Sequence, residues 1–330
     1  MKKNRIALVT GCAGFIGSHM CDYLLKKKLI VYGVDNLSSG KIKNIQHIKN
    51  KNFKFIKSDI KNLNFFSRKR KIDYIFHFAG NGELIPSIDN PIEYLKNNTV
   101  NTAIMLDQIV KNKIRIKKFV YAASSTCYGK NNSKTNENSK INIEHPYALS
   151  KYLGEYCLLH WSKIYKIPSV SIRIFNAYGT RSRTNNAYGA VIGVFLKQKL
   201  SNYPLTIVGD GSQKRDFLYV TDVCDAFYKA VKLKSKFEIL NLGFGKSKKI
   251  NFLANLISDK KTYIPWRPGE PKNTEANISK IKKKLKWKPT ISLKEGIKKI
   301  MKDIGYWENA PLWTKKKIKK ATKNWQKYLK

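Results

Sequence analysis

Residues 6–19, Ile6-Ala7-Leu8-Val9-Thr10-Gly11-Cys12-Ala13-Gly14-Phe15-Ile16-Gly17-Ser18-His19, decide the fold. An apolar run short enough for a strand is followed by glycines spaced Gly-x-x-Gly-x-x-Gly. Helical spacing then begins, with Phe15, Ile16, His19, Tyr23 and Leu24 on related turns. Glycines at such a junction let the backbone turn tightly and approach a pyrophosphate. The helix N-terminus behind them offers unpaired N–H groups and a partial positive charge. A glycine run alone is weak, but this one has a strand before it, a helix after it and an acid, Asp35, at the end of the next apolar run. A carboxylate there accepts from both ribose hydroxyls of an adenosine and repels a 2′-phosphate, so NAD is expected over NADP. Lys41 and Lys43 weaken that preference, and Asp59, after the third strand signal, is placed to reach the adenine.

Outward from this unit, strand signals recur at residues 29–34, 53–56, 74–78 and 119–122, and long helical stretches at 92–110 and 147–164. Such alternation predicts an α/β fold: a Rossmann-type doubly wound parallel sheet covered by helices on both faces. The second half is less regular, with strand signals at 170–175, 205–208, 217–220 and 239–242, and turns at Gly209-Asp210-Gly211 and Pro268-Gly269. It reads as a smaller, mixed C-terminal substrate domain. The expected division is 1–174 plus 218–246 for the dinucleotide domain and 175–217 plus 247–330 for the other. No repeat or Gly/Ser-rich linker separates the parts. Residues 314–330 form a basic helix candidate whose stripe, Ile318, Ala321, Trp325 and Tyr328, is expected to dock on the body.

Composition narrows the function. The chain has 330 residues, 42% of them hydrophobic, enough for a real core. No apolar run approaches the ~20 residues of a membrane span. The N-terminus imitates a signal peptide, and Val9-Thr10-Gly11-Cys12 a lipoprotein site, but the apolar run breaks at Thr10-Gly11, short of the roughly 7–15 residues of a secretory core. Cys12, Cys21, Cys127, Cys157 and Cys224 are scattered, without a Cys-x-x-Cys pair. This excludes a disulfide framework and a thiolate zinc site and fits a cytoplasmic location. The histidines form no metal-ligand cluster, so no metal is expected. The net charge of +43 comes mostly from Lys spread along the chain and is read as compositional. No nucleic-acid signature appears, so neither a nucleic-acid nor a membrane partner is expected, although a diffuse positive field draws in anionic substrates.

The chemistry is carried by Tyr147-Ala148-Leu149-Ser150-Lys151. Positions i and i+4 share a helix face. An ammonium beside a phenol, with a positive nicotinamide close by, is expected to lower the phenol below its usual pKa of about 10. The phenolate then takes a proton from a sugar hydroxyl as hydride leaves. Ser124-Ser125-Thr126 follows a strand signal, where a hydroxyl can bridge substrate and Tyr147.

These segments, with Thr10–Gly17, Asp35-Asn36-Leu37, His77-Phe78-Ala79-Gly80, Asn98, Ser124–Gly129, Arg173-Ile174-Phe175-Asn176, Arg215-Asp216-Phe217 and Arg267-Pro268-Gly269-Glu270, resemble the extended short-chain dehydrogenase/reductases, specifically the nucleotide-sugar epimerase/dehydratase family. The resemblance runs along nearly the whole chain. It implies a cofactor site of Gly11, Gly14, Phe15, Ile16, Gly17, Asp35, Asn36, Asp59, Ile60, Phe78, Ala79, Gly80 and Asn98, completed by Tyr147 and Lys151. It implies Ser124, Tyr147 and Lys151 as catalytic. For the substrate it implies Ser124, Ser125, Thr126, Tyr147, Asn176 and Arg215, the last two on the diphosphate, with Arg267 and Glu270 at the nucleotide end. Family dehydratases carry Asp-Glu, and decarboxylases a Glu, where this chain has Ser125 and Thr126. What remains is oxidation, rotation of a 4-keto sugar and hydride return, which is epimerisation at C4, closest to UDP-glucose 4-epimerase-like members. Thr274 stands where hexosamine-rejecting epimerases carry a bulky Tyr, so UDP-N-acetylhexosamine is expected to fit as well as UDP-hexose. Residues 186–192 resemble members acting on such sugars. The chain departs from the pattern at Ile174, at Asn81 and Glu83 in the sugar loop, and in the tail from Trp313. The helices at 92–110 and 147–164 resemble those of a family homodimer interface. Other redox transformations (C2 or C5 epimerisation, reduction, dehydration) and a non-catalytic NAD-binding regulator remain the alternatives.

Overall fold

The computed structural model describes residues 5–62, 71–130, 134–182 and 190–329. The first half alternates strand and helix: β1 (Ile6–Thr10), α1 (Phe15–Lys26), β2 (Ile30–Asp35), β3 (Phe53–Lys57), β4 (Tyr74–His77), α2 (Pro86–Asp89), α3 (Pro91–Leu95), α4 (Asn101–Lys111), β5 (Lys118–Ser124) and α5 (Pro146–Tyr165). Then come β6 (Ser169–Ile174), β7 (Asn176–Tyr178), α6 (Val191–Leu200), β8 (Leu205–Val208), β9 (Lys214–Arg215), β10 (Phe217–Tyr219), α7 (Val220–Ala230) and β11 (Phe237–Leu242). The chain ends with β12 (Lys248–Lys249), α8 (Ile250–Asn255), β13 (Lys261–Ile264), α9 (Ser279–Leu285), α10 (Leu293–Lys302), α11 (Lys315–Ala321) and α12 (Lys323–Tyr328).

Seven strands form one parallel sheet in the order β11-β6-β5-β4-β1-β2-β3. The order reverses beside β1, between β4 and β2, which opens a crevice at the carboxyl ends of these strands. Every residue of β4, β5 and β6 is buried, as strands covered on both faces require. One apolar core, with Met20, Leu24, Val223 and Phe227, lies under α1 and α7. Another, with Met105, Leu106, Ile109 and Leu158, lies under α4 and α5. A third is built from Tyr178, Phe195, Leu205, Leu253, Ile297 and Trp307, all from elements after β6, with Phe15 and Ile16 packed against it. Three two-stranded sheets, β10-β7, β12-β9 and β13-β8, belong to the same half.

Two helical expectations are refined. Residues 91–111 run on as α3, a π turn at Lys96–Val100, and α4. The tail forms two short helices rather than one, α11 and α12. Ile318 and Trp325 are buried, while Tyr328 is exposed and lies off the docked stripe. Among the described residues, no helix is long and apolar enough to cross a membrane, and no His/Cys/Asp/Glu group is placed to hold a metal.

Deep between α5 and the sheet, Glu155 receives Arg173 Nε at 3.0 Å and Nη2 at 2.5 Å, and Ser171 Oγ donates to it at 2.7 Å. Both charged residues are 3% exposed. Glu155→Ala leaves a guanidinium buried without its counter-charge. The expected cost is about 3–5 kcal/mol of unfolding free energy, read as a shift in the denaturation midpoint with unchanged slope.

Candidate active site

The crevice at the reversal of strand order holds a groove lined by Gly11, Gly14, Asp35, Asn36, Asp59, Ile60, Phe78, Ala79 and Gly80, with Ser38, Ser39, Ser58, Asn81, Asn97 and Asn101. A side chain at Gly17 would collide with the Gly11 carbonyl, so α1 begins directly against the turn. Asp35 is 7% exposed; its Oδ2 accepts from Ala13 N at 2.9 Å and Oδ1 from Leu37 N at 2.8 Å. Burial pushes its carboxyl upward against the pull of those two N–H groups. Asn36 Nδ2 donates to Asp59 Oδ2 at 3.1 Å, joining two of the expected adenine-side residues. Lys43 points away, its ammonium 5.4 Å from the Tyr306 ring centroid. A glycine turn at a helix start, a carboxylate at the end of β2 and a flat apolar ledge at Phe78–Ala79 fit a dinucleotide. Phe15, Ile16 and Gly17 do not line the groove with side chains: Phe15 and Ile16 pack into the core, which leaves backbone groups to face a ligand.

Asn98 lies one layer behind the groove, on the π turn. Its Oδ1 accepts from Asn81 N at 2.8 Å, and its Nδ2 donates to Asn81 O at 3.1 Å and Ser150 Oγ at 2.9 Å. Gly80 has φ +142°, and a side chain there would strike Asn98 Oδ1. One amide thus ties the loop after β4 to the helix that carries Tyr147. Beneath it a neutral relay is fixed by its donors. Thr102 Oγ1 donates to Asn98 O at 2.8 Å and accepts from His77 Nε2 at 3.0 Å, which leaves His77 Nδ1 to accept from Thr10 Oγ1 at 2.7 Å. Burial holds the His77 imidazole down to about 3, in keeping with a neutral ring.

Ser124, Tyr147 and Lys151 converge at the end of β5 and the start of α5. Ser124 Oγ lies 2.9 Å from Thr126 Oγ1. The Tyr147 ring sits between Tyr94, edge-on at 6.3 Å, and His145, nearly parallel at 6.1 Å. Lys151 and a positive nicotinamide together are expected to lower the Tyr147 phenol; in the ligand-free chain the shift runs the other way. Burial pushes Tyr147 up to about 12, the Ser124 hydroxyl pulls it down, and the Glu83 carboxylate pushes it further up. Lys151, 8% exposed, is itself held down to about 8 by burial, opposed by Glu155, and its ammonium lies 4.6 Å from the Tyr121 ring centroid.

On the far wall, Thr274 Oγ1 lies 3.3 Å from Asn176 Oδ1. Arg215 Nη2 reaches Glu270 Oε1 at 2.7 Å, and Arg267 Nε reaches Glu270 Oε2 at 3.1 Å. Of the residues expected to grip the diphosphate and the nucleotide end, Arg215, Arg267 and Glu270 therefore form one ion triad, and Asn176 is paired with Thr274 instead. Asp216 is not the partner of Arg215. It is fully buried and accepts from Phe244 N at 2.6 Å and Ala276 N at 2.9 Å; burial pushes it up to about 6 while these donors pull it down. Of the segment 186–192, residues 186–189 lie outside the described residues, and Val191 and Ile192 open α6.

Residues 8–300 match the family model described as GDP-mannose 4,6 dehydratase. The chain belongs to the nucleotide-sugar epimerase/dehydratase family. An uncharacterized UDP-glucose epimerase of Bacillus subtilis is 36% identical over 306 residues, covering 88% of this chain and 95% of that one. Among solved structures, the UDP-glucuronic acid 4-epimerase of Bacillus cereus, in complex with UDP-glucuronic acid and NAD, has a TM-score of 0.83 at 32% identity, covering 92% of this chain and 99% of that one. The UDP-N-acetylglucosamine 4-epimerase of Methanobrevibacter ruminantium, in complex with UDP-N-acetylmuramic acid, also reaches 0.83 at 32% identity, covering 92% and 100%. As a member of this family the chain is an NAD-dependent enzyme with a Rossmann-type sheet.

Sequence reasoning about this family member passed over His145 and Tyr94, and quoted His77 without giving it a role. His145 carried a usable signal: it stands immediately before Pro146, where a helix cap belongs, and its Nδ1 accepts from Ala148 N at 3.2 Å. The Asn98 turn carried none, because a π turn has no residue signature at this spacing.

The burial of Lys151 has a pH consequence. Its folded pKa, about 8, lies below the ordinary 10.5, so between these values the unfolded chain binds more protons and stability rises with pH. In the cofactor-free protein, the stability of wild type relative to Lys151→Met is expected to improve by about 2 kcal/mol from pH 8 to pH 10. Denaturant titrations of both proteins at the two pH values measure it, and a flat difference refutes a desolvated Lys151.

Proposed function

We propose that the protein epimerises a UDP-hexose, and also a UDP-N-acetylhexosamine, at C4 through a transient 4-keto intermediate. One observation carries the reading: Tyr147 is held between two rings against Ser124, while the positions after Ser124 carry only hydroxyls, Ser125 and Thr126. Elimination of the C6 hydroxyl needs a carboxylic acid and a base at those positions, and neither is present there.

Bound in this groove, NAD⁺ would supply the hydride acceptor for C4 and the hydride donor for the return to the other face of the sugar. Tyr147 takes the proton of the C4 hydroxyl, with Ser124 bridging the two oxygens, and gives it back after the ring has turned. A phenol near 12 is a poor base, so Lys151 supplies charge beside it as the site fills. Asp35, Asn36, Asp59 and Ile60 hold the adenosine end. The turn at Gly11, Gly14, Phe15, Ile16 and Gly17 holds the pyrophosphate, and Phe78, Ala79, Gly80 and Asn98 shape the nicotinamide side. Asn176 and Arg215 hold the sugar-nucleotide diphosphate. Arg267 and Glu270 hold the nucleotide, with Glu270 keeping Arg215 aimed inward until phosphate arrives.

Thr274 leaves room for an acetamido group beside Asn176. The Glu83 charge, near enough to push up Tyr147, meets a C6 carboxylate as a like charge, which favours neutral hexoses over the uronate of the Bacillus cereus relative. The division into a dinucleotide domain (1–174 and 218–246) and a substrate domain (175–217 and 247–330) follows the bulk of the cores, although Ile281, Leu285 and Trp287 of the substrate domain pack into the core under α1 and α7, and Tyr219 and Val220 of the dinucleotide domain pack with Phe195 and Leu253. Exposed Ile92, Val100, Tyr156, Ile164 and Tyr165 on the α3–α4 run and α5 support a homodimer. A cytoplasmic location is supported by five free cysteines.

Incubating the purified protein with UDP-glucose or UDP-N-acetylglucosamine, without added cofactor, is expected to yield the galacto isomers, seen as new anomeric proton signals by NMR. Tyr147→Phe is expected to lose at least ~100-fold in kcat with NAD still bound, and Thr274→Tyr to lose the acetamido substrate selectively. Absence of both isomers with wild-type protein overturns the reading.

A further inference from the structure

The chain from Trp313 onward plays no part in the reaction derived above, yet it touches three walls of the sugar end. Trp325 is 4% exposed, and its Nε1 donates to Pro268 O at 2.8 Å, in the loop between Arg267 and Glu270. The same indole lies 5.6 Å from the His145 ring, which stacks on Tyr147. Burial holds His145 down to about 4, which leaves its Nδ1 free to cap α5. On a third side, Ile318 and Trp325 join Ile85 and Val194 in one apolar cluster, with Leu84 and Ile88 packed against it. Asn324 Nδ2 donates to Asp89 Oδ1 at 2.7 Å, securing the tail to the end of α2, the helix that follows the segment carrying Glu83.

The arrangement is economical in its contacts. A single indole spans the gap between the helix start that presents Tyr147 and the loop that presents Arg267 and Glu270. Its ring meets one, its N–H the other. The hydrogen bond to a loop carbonyl fixes the orientation of the indole as packing alone does not.

We propose that Trp325 is a positioning residue of the active site: by joining His145 to the Pro268 carbonyl it sets the separation between Tyr147 and the nucleotide-holding loop, and with Ile318 it closes the sugar end. This rests on the epimerase reading. Oxidation moves the C4 hydride to the nicotinamide and the hydroxyl proton to Tyr147. A keto sugar that escapes through a loosened wall before the hydride returns leaves the cofactor reduced. A loosened wall therefore produces retained reduced nicotinamide as well as weaker binding.

The test uses the full chain with its bound NAD and the variants Trp325→Ala and Trp325→Phe. UDP affinity is measured by calorimetry, KM and kcat on UDP-glucose, and the absorbance of reduced nicotinamide after UDP-glucose is added. Trp325→Ala is expected to weaken UDP and raise KM about tenfold, and to accumulate reduced cofactor over successive turnovers. Trp325→Phe keeps the ring and loses the N–H donor. It is expected to restore the oxidised state but to leave UDP weaker, by up to about fivefold if the full worth of one neutral hydrogen bond goes into holding the loop for the nucleotide. Unchanged UDP affinity and unchanged cofactor redox state in Trp325→Ala overturn the proposal. If that variant loses NAD through misfolding, unchanged UDP affinity in Trp325→Phe overturns it instead. Wild type that binds UDP yet converts no sugar defeats the epimerase reading alone. The dependence of UDP affinity on Trp325 then still decides the positioning role.

Discussion

Helix α1 starts against the carbonyl of the turn that follows β1, so closely that only hydrogen fits at position 17. This approach brings the helix N-terminus to the edge of the sheet, and the other site elements are arranged around that edge. Strand β2 delivers Asp35 beside it, where the carboxylate is anchored by Ala13 N on the turn itself. Strand β4 delivers Phe78, Ala79 and Gly80 on its other side. Because strand order reverses beside β1, the loops that follow β1 and β4 diverge and leave a crevice between them.

A second constraint is the limited access of solvent to the reactive pair, with Tyr147 half-buried and Lys151 8% exposed. Tyr147 and Lys151 are both displaced from their ordinary ionisation toward neutrality, and by the same cause. The ligand-free site is therefore electrostatically quiet: a phenol without its proton-accepting power and an ammonium easily relieved of its charge. Readiness arises when charge enters with the ligands. Within the ligand-free chain Arg215 is already paired, its guanidinium held by Glu270. Aromatic packing fixes the Tyr147 ring before any ligand arrives, so little rotational freedom is lost at the reacting atom.

The sheet and its crevice were legible because parallel strands buried on both faces read as apolar runs, and because glycines at a strand–helix junction have few other uses. Strand β5 and helix α5 fall within a residue or two of their expected limits at most ends. The pairing of Arg215 with Glu270 was not legible, since 55 residues separate them and the nearer acid, Asp216, offered a simpler partner. Asp216 instead staples β10 to backbone near residues 244 and 276, a use of carboxylate that depends wholly on tertiary arrangement. The upward shift of Tyr147 in the ligand-free chain was not legible for a related reason. Spacing showed a lysine one turn away, but it did not show how far burial would act on the phenol, or that Glu83 would stand close by.

Strand β6 lies between β5 and β11, and its six residues are entirely buried. Its second neighbour, β11, begins only at Phe237. During synthesis the ribosome must therefore extend a chain whose most recent sheet strand presents a bare row of backbone donors and acceptors. That row stays open while β7, α6 and the intervening strands emerge. An unpaired apolar edge is a template for association with other chains. Nascent copies of this protein should consequently be most dependent on chaperone protection in the interval between the completion of β6 and the arrival of β11.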